Sequence, residues 1–438
     1  MRFFYSLIFY LALPLVLLRL LWRAIKAPAY AKRWQERFAL FPKPDDGRPL
    51  ICLHSVSVGE TIAASPLIKR LLQDYPEHQL MVTTTTPTGS ALLQERFGDQ
   101  VLHVYLPYDL PDAMARFLGK LNPEILLIME TELWPNLLAA CQQRGIPSLL
   151  LNGRLSERSA RGYQRVSALS QPMFAALDGV YAQTSADQER FIASGAKAEH
   201  CEVSGNIKFD LQLSEELRAQ AAVLRKQWQG GSEELGDVEG AEKRFIIAAA
   251  STHPGEDEII LQAFQQLLAK KPNARLLLVP RHPERFKDVA RLIEASNLSM
   301  QRRSESRSLK ALAEDCQVIL GDTMGEMLCF FGAVDAAFIG GSLVDRGGHN
   351  MIEAAAWGLP IVTGKSCFNF AEANALLQNA GALRQVSNAN ELAAHWLELI
   401  SNPEVARSMS DSALSVAEGN RGALDKMMMG IAAHLNKR

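Results

Sequence analysis

Four short stretches of this 438-residue chain, three of them with glycine, offer groups that can move a proton or hold an anion. His54 to Glu60 reads HSVSVGE and offers a hydroxyl at Ser57 and a carboxylate at Glu60. Arg281-His282-Pro283-Glu284 puts a cation just past an apolar run. Thr323-Met324-Gly325-Glu326 and Gly347-Gly348-His349-Asn350-Met351-Ile352-Glu353 each join glycine to the start of a helical pattern, where free backbone N–H groups can meet a phosphate. Asn350 and Glu353 are three apart and share a helix face, so the carboxylate can accept from ribose hydroxyls. Together, the last three loops suggest a nucleotide phosphate site.

Two look-alikes are set aside. SVSVG lacks the first glycine of a nucleophile elbow, having Ser55 there, which argues against Ser57 as a nucleophile. GLPIVTGKS, Gly358 to Ser366, has one residue too many for a phosphate-binding P-loop, and PIVT inside it reads as a strand. No G-x-G-x-x-G follows any strand, which argues against a dinucleotide oxidoreductase. His54, His253, His282 and His349 are scattered and read as polar loop residues, with no ligand spacing for a divalent ion.

The elements that must carry these loops follow from apolar runs alternating with helix-periodic segments. PLICLHSV, HQLMVTTTT, VLHVYLP, EILLIME, SLLLNG and GVYAQT form one series, and FIIAAAS, ARLLLVP, CQVILGD, AAFIGGS and PIVTG a second. Such alternation implies an α/β fold with two doubly wound parallel sheets. The expected organisation is a membrane anchor over 1–27, a first Rossmann-like domain over 48–210, a linker region over 211–243 and a second Rossmann-like domain over 244–438. Ligands of open α/β sheets bind at strand carboxyl ends, so a cleft between the domains is the expected site. Glu130 and Glu132 in METELWPN also follow a strand, and either shape an acceptor pocket or cap a helix. Arg154, Arg158, Arg161 and Arg165 are spaced to line one helix face, interrupted at Gly162.

Phe3 to Leu18 is uncharged and apolar, and Arg19, Arg23, Lys26, Lys32, Arg33 and Arg37 follow it. This is the pattern of an uncleaved anchor that spans or embeds, with the body on the cytoplasmic side. A net charge of −2 gives no general pull toward nucleic acid. The cysteines at 52, 141, 201, 316, 329 and 367 form no C-x-x-C pair and read as buried thiols in a reducing compartment.

In this order, HSVSVGE, TTTTPTGS, METELWPN, LNGRLSERS, RHPER, GDTMGEM and GGHNMIEAAAWGLP resemble the 3-deoxy-D-manno-octulosonic acid (Kdo) transferases of lipopolysaccharide synthesis. The resemblance runs from Phe3 to about Phe370 and departs at QGGSEELGDVEGAEKR. It implies the two-domain GT-B glycosyltransferase fold, CMP-Kdo as donor, a phosphorylated lipid A precursor (lipid IVA) as acceptor, and a metal-independent inverting reaction without a cofactor at the cytoplasmic face of the inner membrane. It also implies a general base at Glu60 and donor contacts at Pro280, Arg281, Met324, Gly325, Glu326, Asn350, Met351, Ile352 and Glu353. Glu130, Glu132, Arg154, Arg158 and Arg161 are the candidates for the acceptor side. The number of Kdo residues added is not legible. Another nucleotide-sugar enzyme of this architecture, or a tethered serine hydrolase using Ser57, are the competing readings.

Overall fold

A computed structural model describes residues 1–44, 47–229, 244–305 and 312–435. The chain divides into two compact units, Met1–Asp210 with Arg421–Arg438, and Leu211–Asn420.

The first unit holds a seven-stranded parallel sheet: β1 (Leu50–His54), β2 (Gln79–Thr84), β3 (Leu102–Tyr105), β4 (Ile125–Met129), β5 (Ser148–Gly153), β6 (Gly179–Ala182) and β7 (Cys201–Val203). Their order is β3-β2-β1-β4-β5-β6-β7. Every residue of β1, β4, β5 and β6 is buried, because helices cover both faces. The Leu126 and Ile128 side chains join one core layer, and those of Ile125 and Leu127 the other.

The second unit repeats the plan with β8 (Ile246–Thr252), β9 (Arg275–Pro280), β10 (Met300–Arg302), β11 (Val318–Leu320), β12 (Ala336–Ile339), β13 (Ile361–Thr363) and β14 (Leu383–Gln385), ordered β10-β11-β9-β8-β12-β13-β14. β13 lies inside GLPIVTGKS, so that stretch is a strand and not a phosphate loop. At Gly340 a Cβ would lie 2.5 Å from the carbonyl oxygen of Ser251, so the close approach of β8 and β12 requires glycine there.

Three boundaries differ from expectation. Within 211–243, the helix Glu215–Gln229 belongs to the second unit, with Trp228 buried against Phe330, while 230–243 lies outside the described residues. The second domain does not run to 438. The last helix, Ala423–Leu435, seats Ala423, Met427 and Ile431 in the first unit's core, since its apolar stripe matches that surface.

The N-terminal helix runs Arg2–Lys26. Ser6 is buried and bonds to Asn136, and Phe9 packs on Tyr108 at 6.3 Å, so its first turns dock on the first unit. Phe4, Ile8, Leu11, Leu15, Leu18, Trp22 and Ile25, spaced alternately four and three apart, face outward and are exposed. One apolar face is thus left uncovered, as a membrane-anchor candidate would have it, while the other is committed to protein. All six cysteines are free, and five are buried.

Candidate active site

In the first unit the strand order reverses between β1 and β4, the place where such sheets receive ligands. Glu60 follows β1, and Glu130 and Glu132 follow β4. The helix Val58–Asp74 begins at Ser57, whose side chain caps it. Glu60 lies in its first turn, 8% exposed, with one carboxylate oxygen 2.7 Å from the Val56 N–H and the other accepting from the Ser57 hydroxyl at 2.9 Å. This S-x-x-E geometry makes Ser57 a partner of the carboxylate.

Burial pushes the Glu60 carboxyl up to about 7, against the two hydrogen bonds and with help from the charges of Glu130 and Glu132. Desolvation thus outweighs the two hydrogen bonds that favour the ionised form. Burial and Glu130 also raise Glu132. Glu130 itself is in the left-handed backbone region at φ 59. Neither carboxylate caps a helix by side chain, since the following helix, Pro135–Arg144, starts at an uncapped Trp134.

Val56, which holds Glu60, also lines a cavity of about 410 Å³. Phe9, Val16 and Leu20 of the N-terminal helix form part of its apolar wall, and Arg19, Arg23 and Arg37 line it too. The other arginine row is shorter than expected: the helix is Glu157–Arg165, so Arg154 precedes it and only Arg158, Arg161 and Arg165 share it. All four are exposed, and Arg161 pairs loosely with Glu157 at 3.7 Å.

In the second unit the strand order reverses between β8 and β12. Glu256, fully buried, ties the two loops there: its carboxylate accepts from the N–H groups of His253, Gly341, Ser342 and Leu343 at 2.6–3.0 Å. This brings together His253 and His349, Nε2 to Nε2 at 2.8 Å with rings parallel within 6°, and the His282 ring lies 5.4 Å from that of His253. Burial, and after it neighbouring basic groups that include Arg281, hold both imidazoles below their ordinary range, His349 at about 4. Reading these as separate loop residues is corrected by the fold. His54 is no loop residue either. It ends β1 fully buried and bonds to Thr83 at 2.9 Å.

The candidate donor residues occupy the three loops that follow β9, β11 and β12. Pro280 ends β9 buried, and Arg281 beside it is exposed. Gly325 turns the next loop at φ 82, Met324 is 60% exposed, and the Glu326 carboxylate is held by Arg303 at 2.8 Å and by Thr323. Asn350 donates to Glu353 at 3.0 Å, and burial raises the Glu353 carboxyl. Met351 and Ile352 point their side chains into the core, so only their backbone is available to a ligand. The helices that follow, Met327–Gly332 and Ile352–Ala356, are six and five residues long. Helices this short carry little dipole beyond their own first-turn N–H groups.

Residues 32–211 match the family model described as 3-deoxy-D-manno-octulosonic-acid transferase, and residues 240–415 match that of glycosyl transferases group 1. The chain is 40% identical over its whole length to the 3-deoxy-D-manno-octulosonic acid transferase of Haemophilus influenzae, covering 99% of that protein. Among solved structures, the C-terminal CMP-Kdo binding domain of WaaA from Acinetobacter baumannii is 31% identical, covering 46% of this chain and 98% of that one at a TM-score of 0.41. The UDP-GlcNAc 2-epimerase of Neisseria meningitidis, 13% identical, covers 89% of this chain and 100% of that one at a TM-score of 0.54, a likeness of fold alone. With full-length identity at this level and two parallel-sheet units carrying strand-end loops, the chain belongs to the 3-deoxy-D-manno-octulosonic acid transferase family of glycosyltransferases.

Proposed function

We propose that this protein moves Kdo from CMP-Kdo onto a phosphorylated lipid A precursor, lipid IVA, in lipopolysaccharide synthesis, with inversion at the anomeric carbon and Glu60 as general base. The observation that carries the reading is the Glu60 carboxyl, buried at a strand end, fixed through both oxygens and raised to about 7. A base poised near the working pH takes a proton most effectively. The ionised Glu60 removes the acceptor hydroxyl's proton as its oxygen bonds to the anomeric carbon. The bond from that carbon to the phosphate oxygen breaks, and its electron pair leaves with CMP.

Arg281, with the loops at Met324 to Glu326 and Asn350 to Glu353, binds the nucleotide, and the cations around His253 suit an anionic donor. Glu130 and Glu132 keep the base site acidic. Arg158 and Arg161 face an anionic membrane surface, and the outward face of the N-terminal helix embeds in the inner membrane at its cytoplasmic side. The test is incubation with CMP-Kdo and lipid IVA followed by mass spectrometry. Acceptor mass increased by whole Kdo residues supports the reading and counts them. Transfer only from a UDP-sugar would replace it.

A further inference from the structure

Arg37 is a cation buried without a counter-charge. It is 5% exposed, its Nη2 donates to the carbonyl oxygen of Thr85 at 3.1 Å, and its guanidinium lies over the Tyr105 ring at 4.6 Å. Its Nε has no partner, and no carboxylate pairs with it among the described residues. A guanidinium cannot shed its proton to relieve burial, so the charge persists. Polar groups buried this way are rare, and a structural role would have supplied an acid.

Arg37 lines the 410 Å³ cavity that also reaches Val56, the residue holding Glu60. Thr85 lines it as well, and Arg19 and Arg23, one turn apart on the N-terminal helix, add two more cations. The one carboxylate in the lining, Asp109, is occupied by the N–H groups of Asn136 and Leu137, both at 2.9 Å. The rest of the wall is largely apolar, with Phe9, Val16, Leu20 and Trp134. Arginine offers a planar fork of donors that fits a phosphate in two places at once. A cavity that joins such a cation to apolar helix residues, whose opposite face meets lipid, fits a phosphate carried by a lipid better than a free ion.

We infer that Arg37, flanked by Arg19 and Arg23, is the seat of a phosphate group of the lipid acceptor, and that this contact sets which acceptor hydroxyl reaches Glu60. The inference rests on the functional reading above and adds the specificity residue. Arg37 is a positioning residue here, since it touches a part of the substrate remote from the reacting atoms.

The test compares the full-length protein on lipid IVA and on the same lipid with its phosphates removed. The wild type should favour the phosphorylated acceptor in kcat/KM by about 10- to 100-fold, the range for one charge-assisted contact. Arg37→Gln should erase most of that preference by raising KM for the phosphorylated lipid, while KM for CMP-Kdo stays within twofold. Arg37→Lys, which keeps the charge without the fork, should fall between. Equal use of both lipids by the wild type overturns the inference while leaving Kdo transfer intact, whereas no transfer to either lipid strikes the functional reading itself. Should Arg37→Gln fail to fold, Arg23→Gln and the wild-type comparison still decide, because a phosphate preference unchanged by Arg23→Gln and by Arg37→Lys places the contact elsewhere.

Discussion

Replacing Glu60 by glutamine separates a catalytic carboxylate from a helix-capping one. Glutamine keeps the size, can still accept from the Val56 N–H, and can donate to Ser57, so the local bonds survive with one reversed. What it removes is the charge and the ability to take a proton. In the folded protein the carboxyl titrates at about 7 instead of an ordinary 4.5, chiefly because it is desolvated. At about 1.4 kcal/mol for each tenfold change in proton affinity, ionising it in place costs at most roughly 3 kcal/mol. The folded state therefore binds more protons than the unfolded one between these values, and stability falls as pH rises. Below pH 4.5 wild type and Glu60→Gln should melt together. As pH rises from 4.5 through about 7 the wild type should lose stability that the variant keeps, so the variant melts higher at pH 8. Activity should move the other way: wild-type kcat rises with an apparent pKa near 7, and the variant's is lower by about 10²–10⁴ with no such rise. Thermal unfolding and kcat, both measured from pH 5 to 9, give the answer. A variant that keeps kcat within tenfold, or melts lower than wild type at pH 8, would refute the reasoning.

Ser57→Ala removes a donor to the ionised carboxylate and the helix cap, so the kcat–pH midpoint should move upward and stability fall by about 1 kcal/mol, with most activity recovered at pH 8.5; complete loss at every pH would point to a serine nucleophile. Arg281→Ala should weaken CMP binding by about 1.5–3 kcal/mol in calorimetry, and unchanged affinity would place the phosphate elsewhere. Deleting the chain up to Pro28 should release the protein from membranes in cell fractionation. It should also destabilise the first unit by about 1–3 kcal/mol, because Asn136 and Tyr108 lose Ser6 and Phe9; a truncation that still pellets with membranes would show another anchor.

The parts of the fold that were legible in the sequence are those whose burial leaves an apolar run. β1, β4 and β9 read directly because every residue in them is covered. β7, β10 and β14 are three residues long and lie at sheet edges, where half-exposed positions erase the pattern. Glu60 could be picked out because its carboxylate stands in a glycine turn whose motif, HSVSVGE, carries the family resemblance, but the direction of its shift in proton affinity could not, since desolvation depends on what packs around it. The pairing of His253 with His349 was hidden for another reason. They are 96 residues apart and become neighbours only because β8 pairs with β12, a choice made by the whole sheet. Arg37 looked like one more basic residue after an anchor, and only its burial makes it distinctive.

The last helix gives the molecule an unusual order of birth. Leu211–Asn420 is one uninterrupted piece of chain, whereas the first unit begins at Met1 and is completed only by Arg421–Arg438. Gly430 packs so closely on Tyr181 that a Cβ there would sit 1.7 Å from the phenolic oxygen, and Asp210 accepts from the N–H groups of Gly422 and Leu424, so nothing looser can fill that seat. At about 5–20 residues per second, a ribosome needs on the order of 10–40 s to travel from the end of β7 to this helix. During that interval the unit that started first must wait, already tethered by its N-terminal helix, with part of its core open to water. The domain that starts second can finish first, and the half that carries the base is sealed only once this last helix has been made.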